Sequence, residues 1–342
     1  MTDLLTLTNQ GIYCPTGDFY IDPWPNGAEP RPALAIVTHG HADHARPGST
    51  RYLATPGTAA IMRARMGADV PVDTLDYRVQ RRFGAVDVSL HPAGHVLGSA
   101  QVRVSDGRET WVASGDFKRD RDPSCEPFEV VPCDTFITEA TFALPIYRWP
   151  DGRDVVRSLL DWWRGNLERD RATVLFCYAL GKAQRVLAEL HALAATETLP
   201  GDVLLHGAMT KLIDVYRDHA VSLHPTTPVT AVDDRQRLRR ALTLAPPSAA
   251  GSSWMRRFGT HRSGFVSGWM RVRGNRRRRG YDRGFVLSDH ADWPALLTTI
   301  EENGARRVLA THGKTEVLVR FLRERGVDAA ELKTRFGEEE AP

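Results

Sequence analysis

The chain has 342 residues, 42% of them hydrophobic, enough to bury a sizeable core as one large domain or two medium ones. Its formal net charge of +3 is too small to imply a polyanionic partner, and no apolar run reaches the roughly 18 to 20 residues that a membrane helix needs. The start, MTDLLTLTNQ, has neither a basic leader nor a long apolar stretch, and the four cysteines form no CxxC pair. A soluble cytoplasmic protein with reduced thiols is expected, without a disulfide framework or thiolate metal site.

Short apolar strand candidates recur along the chain, and several end directly on a His, Asp or Glu. ALAIVT (33–38) runs into His39, AVDVSL (85–90) into His91 and His95, and TWVAS (110–114) into Gly115 and Asp116. DTFIT (134–138) meets Glu139, GFVLSD (284–289) meets His290, and RRVLAT (306–311) meets His312. Strands buried on both faces read as continuous apolar runs, and loops leaving their ends are where open sheets place reactive groups, so these polar residues are expected to converge on one rim. Helices are expected between them, one opened by Thr55 as cap with Pro56 in its first turn and another over 293–303.

The middle of the chain has a different rhythm. A helical stretch over 154–169 precedes the strand ATVLFCY (172–178) and the helical GKAQRVLAELHAL, followed by DVLLH (202–206), a helix near 209–219 and a strand near Leu242. This reads as a small α/β unit inserted over 145–283 into an outer domain formed by 1–144 and 284–342. A Gly/Ser/Arg-rich stretch over 251–280 closes the unit, and it holds the only strongly basic tract, RVRGNRRRRGYDR. Such a run is a solvated loop on one reading and a phosphate-binding segment on another. The acidic end, GEEEAP, is expected to fray.

The strongest chemical signal is HGHADH, which puts His39, His41, Asp43 and His44 in one tight loop after a strand, in a chain with only 12 histidines. Two imidazoles one residue apart can bind one metal while the neighbouring carboxylate and imidazole face a second. Neutral imidazole and carboxylate are the ligands of catalytic zinc sites, which leave a position open for water.

HGHADH resembles the HxHxDH signature of the metallo-β-lactamase superfamily, and later segments follow in that family's order: GHVLGSA with His95, SGDFKRD with Asp116, and upstream DFYIDPWP with Asp22. TEATF with Glu139, LSDHADW with His290 and LATHG with His312 resemble the additional motifs of the β-CASP nucleases, and GKAQRV resembles a recurrent segment of their cap domain. NQGIYCPTGDFYIDPWP, HADHARPG and SGDFKRDRDP are similar to bacterial exonucleases associated with an ATP-dependent DNA ligase. The implied fold is α/β, a metallo-β-lactamase αββα sandwich with an inserted β-CASP cap.

Carried over by position, the resemblance implies one zinc on His39, His41 and His95, a second on Asp43, His44 and His312, and Asp116 bridging, with manganese able to replace zinc. Asp22 would buttress the histidine loop. The two ions would lower the pKa of a bound water and neutralise a phosphodiester as it gains charge, so that no Ser or Cys nucleophile is needed. His290 would protonate the departing sugar oxygen, and Glu139 would orient that imidazole. Lys182, Arg256, Arg257, Arg262, Arg271, Arg276 and Arg277 would contact the nucleic acid. Trp254, Trp269 and Tyr281 would stack bases or pack in the cap core, and His206 or His261 would line the nucleic-acid path. The expected activity is a DNA exonuclease of repair, with functional ties to a ligase and a helicase. An RNA-processing nuclease, to which His312 points, and a small-molecule metallo-hydrolase are the alternatives.

Overall fold

The structure, a computed structural model, describes residues 3–25, 27, 30–272, 274 and 280–334. It divides into two compact units, one formed by Met1–Arg148 with His290–Pro342 and the other by Trp149–Asp289. Among the described residues no helix is long and apolar enough to cross a membrane.

The first unit opens with a six-stranded sheet in chain order: β1 (Thr6–Thr8), β2 (Gly11–Cys14), β3 (Phe19–Ile21), β4 (Leu34–Ile36), β5 (Arg51–Ala54) and β6 (Val72–Thr74). The pairs from β1 to β3 are antiparallel and those from β3 to β6 parallel. Helix α1 (Pro56–Met66) follows β5 and starts as the sequence suggests, with Thr55 Oγ1 accepting the Thr58 amide at 3.2 Å and proline in its first turn. A second sheet begins with β7 (Arg81–Phe83), β8 (Val86–Pro92), β9 (Ala100–Ser105), β10 (Thr110–Ala113) and β11 (Thr135–Glu139). These strands pair antiparallel as far as β10, and β11 lies parallel beside β10.

The second unit starts with α2 (Gly152–Leu167), capped by Asp151, and then alternates strand and helix: β12 (Ala172–Phe176), α3 (Lys182–Ala194), β13 (Val203–Leu205), α4 (Gly207–Asp218), β14 (Thr227–Pro228), α5 (Arg235–Arg240), β15 (Leu242–Ala245), β16 (His261–Val266) and β17 (Arg283–Phe285). All neighbours in this sheet are parallel, in the order β14-β13-β15-β12-β16-β17. The stretch over 251–280 is more regular than its composition suggests, because β16 is an interior strand and short 3₁₀ turns flank it at Ser253–Phe258 and Gly268–Arg271. The strand expected over 284–289 ends at Phe285, and 286–289 continue without strand pairing. One face of the sheet is covered by Leu238, Met255, Phe258 and Met270, with Trp254, Trp269 and Tyr281 packed partly buried against them. Those three aromatics therefore belong to the core packing of this unit.

The chain then re-enters the first unit through α6 (Trp293–Glu302), β18 (Arg307–Thr311), α7 (Thr315–Arg323) and β19 (Asp328–Glu331). Strand β18 slots parallel between β11 and β19, completing a seven-stranded sheet in the order β19-β18-β11-β10-β9-β8-β7. Three apolar clusters record the layering of this unit. Ala59 and Met62 of α1 pack on Ala35, Tyr52 and Ala54 of the first sheet. Ile12, Phe19, Ile36 and Leu53 of that sheet meet Val88, Leu90, Val102, Trp111 and Ile137 of the second. The outer face of the second sheet, with Val112, Phe136 and Val308, is covered by Leu296 and Ile300 of α6 and Leu318 and Leu322 of α7. Layers run helix, sheet, sheet, helix, each burying one apolar face against the next.

In the second unit Trp163 of α2 is fully buried and donates its indole N–H to the Arg240 carbonyl at 2.9 Å. Trp163→Ala should lower stability by about 3–5 kcal/mol through the cavity and the unpaired carbonyl it leaves. Urea denaturation followed by circular dichroism measures this, and a loss below about 1 kcal/mol would contradict the packing described.

Candidate metal centre

Parallel strands side by side end side by side, and that places the site. Ile21 of β3 is in register with Ile36 of β4, so Asp22 and Thr38, just past the two strand ends, are neighbours. Asp22, at φ 44°, turns its carboxylate across: Oδ1 accepts the Thr38 amide at 2.8 Å and Oδ2 accepts the Thr38 hydroxyl at 2.5 Å. The His39–His44 loop follows directly, closed by the Ala45 amide donating to the His41 carbonyl at 2.8 Å. Gly40 allows the close approach of this loop to α1, since a Cβ there would lie 2.4 Å from Ile61 Cγ2.

On the second sheet Ala113 of β10 is in register with Ile137 of β11, and Glu139 of β11 with Thr311 of β18. Asp116, Glu139 and His312 therefore leave one common edge, and His95 reaches the same place from the loop after β8. His312 has φ 59° and Gly313 φ 69°, and a Cβ at Gly313 would stand 2.4 Å from the Ala140 carbonyl oxygen. A histidine held in the left-handed region is uncommon and strained, and such residues concentrate at functional sites.

Among the groups the side chains form, each with one ligand atom per residue within 4.8 Å of the others, are His39, His41, His95 and Asp116; Asp43, His44 and His312; and Asp116, Glu139 and His290, the first and last sharing Asp116. Asp116 Oδ2 lies 3.5 Å from His39 Nε2, 3.6 Å from His44 Nε2 and 3.7 Å from His95 Nε2, and its Oδ1 lies 4.0 Å from His312 Nε2. His41 Nδ1 faces His95 Nε2 at 3.1 Å, and His44 Nε2 faces His312 Nε2 at 3.3 Å. The structure thus brings together every metal ligand expected from the sequence.

The far side of each ring settles its tautomer. Asp22 Oδ2 lies 2.7 Å from His44 Nδ1, and Thr38 Oγ1, whose proton goes to Asp22, lies 3.1 Å from His39 Nδ1. Both Nδ1 atoms carry a proton, and both Nε2 atoms point into the group. His39 Nε2 and Asp116 Oδ1 are buried there without a hydrogen bond. Orphaned acceptors facing one another are unfavourable by themselves and suit a cation.

The electrostatics agree. Burial, reinforced by the neighbouring rings, holds His39 and His312 well below the usual imidazole pKa, hence neutral, the form in which imidazole binds metal. Burial opposes charge on His44 too, but Asp43, Asp116 and Asp22 outweigh it and push its pKa up to about 10. Burial raises the Asp116 carboxyl well above its normal range, whereas at Asp43 burial loses to His44, His41 and His312 and the carboxyl is lowered. Carboxylates that hold a proton on a buried ring mark a place where positive charge is required. The residues present therefore fit metal ions.

Beside this group the Glu139 carboxylate is held at both oxygens. Oε1 accepts the Phe117 amide at 2.8 Å, and Oε2 lies 2.9 Å from His290 Nδ1, with the Phe142 ring edge-on to the imidazole at 5.7 Å. Glu139 and His290 are 1% and 5% exposed, so this pair works out of contact with bulk water. Sequence patterns do not mark Thr38 or the Phe117 amide. The first adjoins a ligand and the second is backbone, so neither leaves a compositional signature.

The basic residues expected to meet nucleic acid fall in the second unit. Arg256, Arg257 and Arg271 are exposed, Arg257 lying over the Trp254 ring at 5.3 Å, and Arg262 is paired with Asp282. Arg276 and Arg277 lie outside the described residues. Lys182 is 4% exposed and its ammonium is tied to Asp289, so it is not presented to solvent. His206 caps α4 through its Nδ1, which accepts the Ala208 amide, and His261 Nδ1 bonds the Gly259 carbonyl.

No protein-family profile matches the chain. It is 33% identical over 323 residues, 94% of its length, to a probable DNA ligase of Opitutus terrae, of which it spans 30%. It is 26% identical over 244 residues to the transcription termination factor FttA of Methanosarcina mazei, spanning 36% of that protein. It is 29% identical over 119 residues to the endoribonuclease ysh1 of Aspergillus fumigatus, spanning 13% of it. A crystal structure of a protein of unknown function from Enterococcus faecalis V583 shares the fold, with a TM-score of 0.58 at 13% identity over 89% of this chain and 80% of that one. These likenesses, together with the histidine and aspartate motifs, support the metallo-β-lactamase superfamily and, within it, the β-CASP family.

Asp22→Ala removes the acceptor of the Thr38 amide and the partner of His44 Nδ1. Metal affinity should fall roughly 10- to 100-fold while the fold is kept. Competition against a chromophoric chelator measures it, and unchanged affinity would sink the buttressing role.

Proposed function

We propose that the protein is a two-metal phosphodiesterase, a DNA exonuclease of repair, built on the αββα sandwich of its superfamily with the second unit as an inserted β-CASP cap. The carrying observation is that Asp116 belongs to the group of His39, His41 and His95, lies within 4.0 Å of His44 and His312, and has the buried Glu139–His290 pair within reach of the same carboxylate. His39, His41 and His95 would hold one ion, Asp43, His44 and His312 the other, and Asp116 would lie between; zinc fits this nitrogen-rich set and manganese is the alternative. When bound, the ions supply an activated water and neutralise charge on the phosphoryl group.

The chain's own residues do the rest. In hydrolysis the phosphorus–oxygen bond to the departing sugar breaks, water supplies the new oxygen, and the departing alkoxide must collect a proton. His290 is placed to give that proton, and Glu139, fixed by the Phe117 amide, keeps Nδ1 protonated and the ring aimed. Burial of the pair keeps water from competing for the proton transfer. Exposed Arg256, Arg257 and Arg271 would meet phosphates, with Arg262 joining them if it exchanges Asp282 for phosphate, and binding would weaken with salt.

DNA is favoured by the likeness to a probable DNA ligase over 94% of the chain, which also supports a functional association with a ligase and, by extension, a helicase in the cytoplasm. The second reading is an RNA-processing nuclease, supported by His312 in its ligand group and by the likeness to an endoribonuclease.

The test is cleavage of matched single-stranded DNA, duplex DNA and RNA, each labelled at either end, with zinc or manganese. Stepwise shortening of DNA is expected, abolished in Asp43→Ala and reduced about 10²- to 10⁴-fold in His290→Ala. Selective cutting of RNA would move the chain to the second reading. Normal cleavage by a folded, metal-free Asp43→Ala protein would overturn both.

A further inference from the structure

The loop that carries His39, His41, Asp43 and His44 is gripped by two arginines, both of the first unit. Arg46, just past the loop, donates its Nε–H to the Asp43 carbonyl at 2.9 Å. Arg65, in the last turn of α1, donates from Nη1 to the Gly40 carbonyl at 2.6 Å. The last turn of a helix attracts cations in any case, but the two arginines there diverge: Arg63 turns to the Val72 carbonyl, whereas Arg65 reaches the ligand loop.

A carbonyl occupies only part of a guanidinium's planar fork, and the N–H groups left over suit phosphate oxygens. Arg65 is exposed and Arg46 partly so, and among the described residues neither is ion-paired with a carboxylate. The carboxylate whose charge does act on Arg65 is Asp43, which belongs to a ligand group. Asp43 and Asp116, the carboxylates of the two ligand groups, cancel only half the charge of two divalent ions. Two more cations fixed against the same loop oppose metal binding by repulsion, and this surplus of positive charge is answered by an anion from outside.

We propose that Arg46 and Arg65 bind the phosphates that flank the scissile one, so that the first unit itself grips the nucleic-acid backbone beside the ligand loop. The inference rests on the reading of the chain as a two-metal nuclease. It adds contacts in the first unit, whereas every phosphate contact expected from the sequence falls in the second.

An oligonucleotide has flanking phosphates and bis(p-nitrophenyl) phosphate has none, so the two substrates separate the roles. The variants are Arg46→Gln and Arg65→Gln, which drop the charge but keep a donor for the carbonyl, with Arg46→Lys and Arg65→Lys to restore the charge. Each Gln variant should raise KM for an oligonucleotide that the wild-type protein cleaves roughly tenfold, with kcat little changed and both constants for the small diester unaltered. Binding of a cleavage-resistant phosphorothioate oligonucleotide, followed by fluorescence anisotropy across a salt series, gives a readout independent of turnover. On a single strand the slope of log affinity against log salt should become shallower by about 0.7 for each arginine lost, and the Lys variants should recover it.

Unchanged KM and slope in both Gln variants would overturn the inference. So would equal losses on the oligonucleotide and the small diester with weaker metal binding in chelator competition, which would make the arginines braces of the ligand loop. If the wild-type protein cleaves neither DNA nor RNA, the nuclease reading fails and the inference falls with it. If it cleaves nucleic acid and the Gln variants behave as wild type, only the arginine contacts are lost.

Discussion

One carboxylate, Asp116, stands among four imidazoles, with three ring nitrogens within 3.7 Å of one of its oxygens and a fourth 4.0 Å from the other. In a buried place such an arrangement needs positive charge among the donors, from a bound cation or from the proton that the carboxylates hold on His44. The rest of the first unit can be understood as the means of meeting that condition. Parallel pairing of β3 with β4, and of β10 with β11 and β18, lines up the strand ends from which Asp22, the histidine loop, Asp116, Glu139 and His312 depart. The helices on the two outer faces supply the burial that keeps the sheets, and so the strand ends, in fixed relation.

Orientation comes from a layer of contacts behind the ligands. Asp22 and Thr38 choose the protonated nitrogen of His44 and His39, and Glu139 does the same for His290 while being fixed by a backbone amide. Because each of these partners is itself nearly inaccessible to solvent, the low local dielectric strengthens the hydrogen bonds and makes a missing partner correspondingly harmful.

Much of this was legible in the sequence because the chemistry is written as residue types at strand ends. His39, His41, Asp43 and His44 fall in one hexapeptide, and His95, Asp116, Glu139, His290 and His312 each follow an apolar run. What was not legible depends on partners distant along the chain. Lys182 of GKAQRV is expected to contact nucleic acid, but it finds Asp289 more than a hundred residues on and is buried. The stretch around β16 is rich in Gly, Ser and Arg, yet its Gly264-Phe265-Val266 core is sandwiched between β12 and β17, and Phe265 stacks on Tyr281. Three-residue strands such as β1 and β3 are too short to display a period of two, and only the sheet around them defines them.

The place of β18 carries a consequence for how the molecule is made. This strand is interior to the seven-stranded sheet, flanked by β11 and β19, although β11 ends at Glu139 and β18 begins at Arg307, with the entire second unit synthesised between them. Until β18 emerges, β11 presents an open hydrogen-bonding edge, and the outer face of its sheet lacks the cover of α6 and α7. Closing so long a loop is slow compared with local pairing. The second unit, whose described strands all come from one uninterrupted stretch, can fold during that wait. His312 is then the last ligand to arrive, so the second metal-binding group is completed only when the sheet itself is, and newly made protein cannot assemble both groups before its architecture is closed.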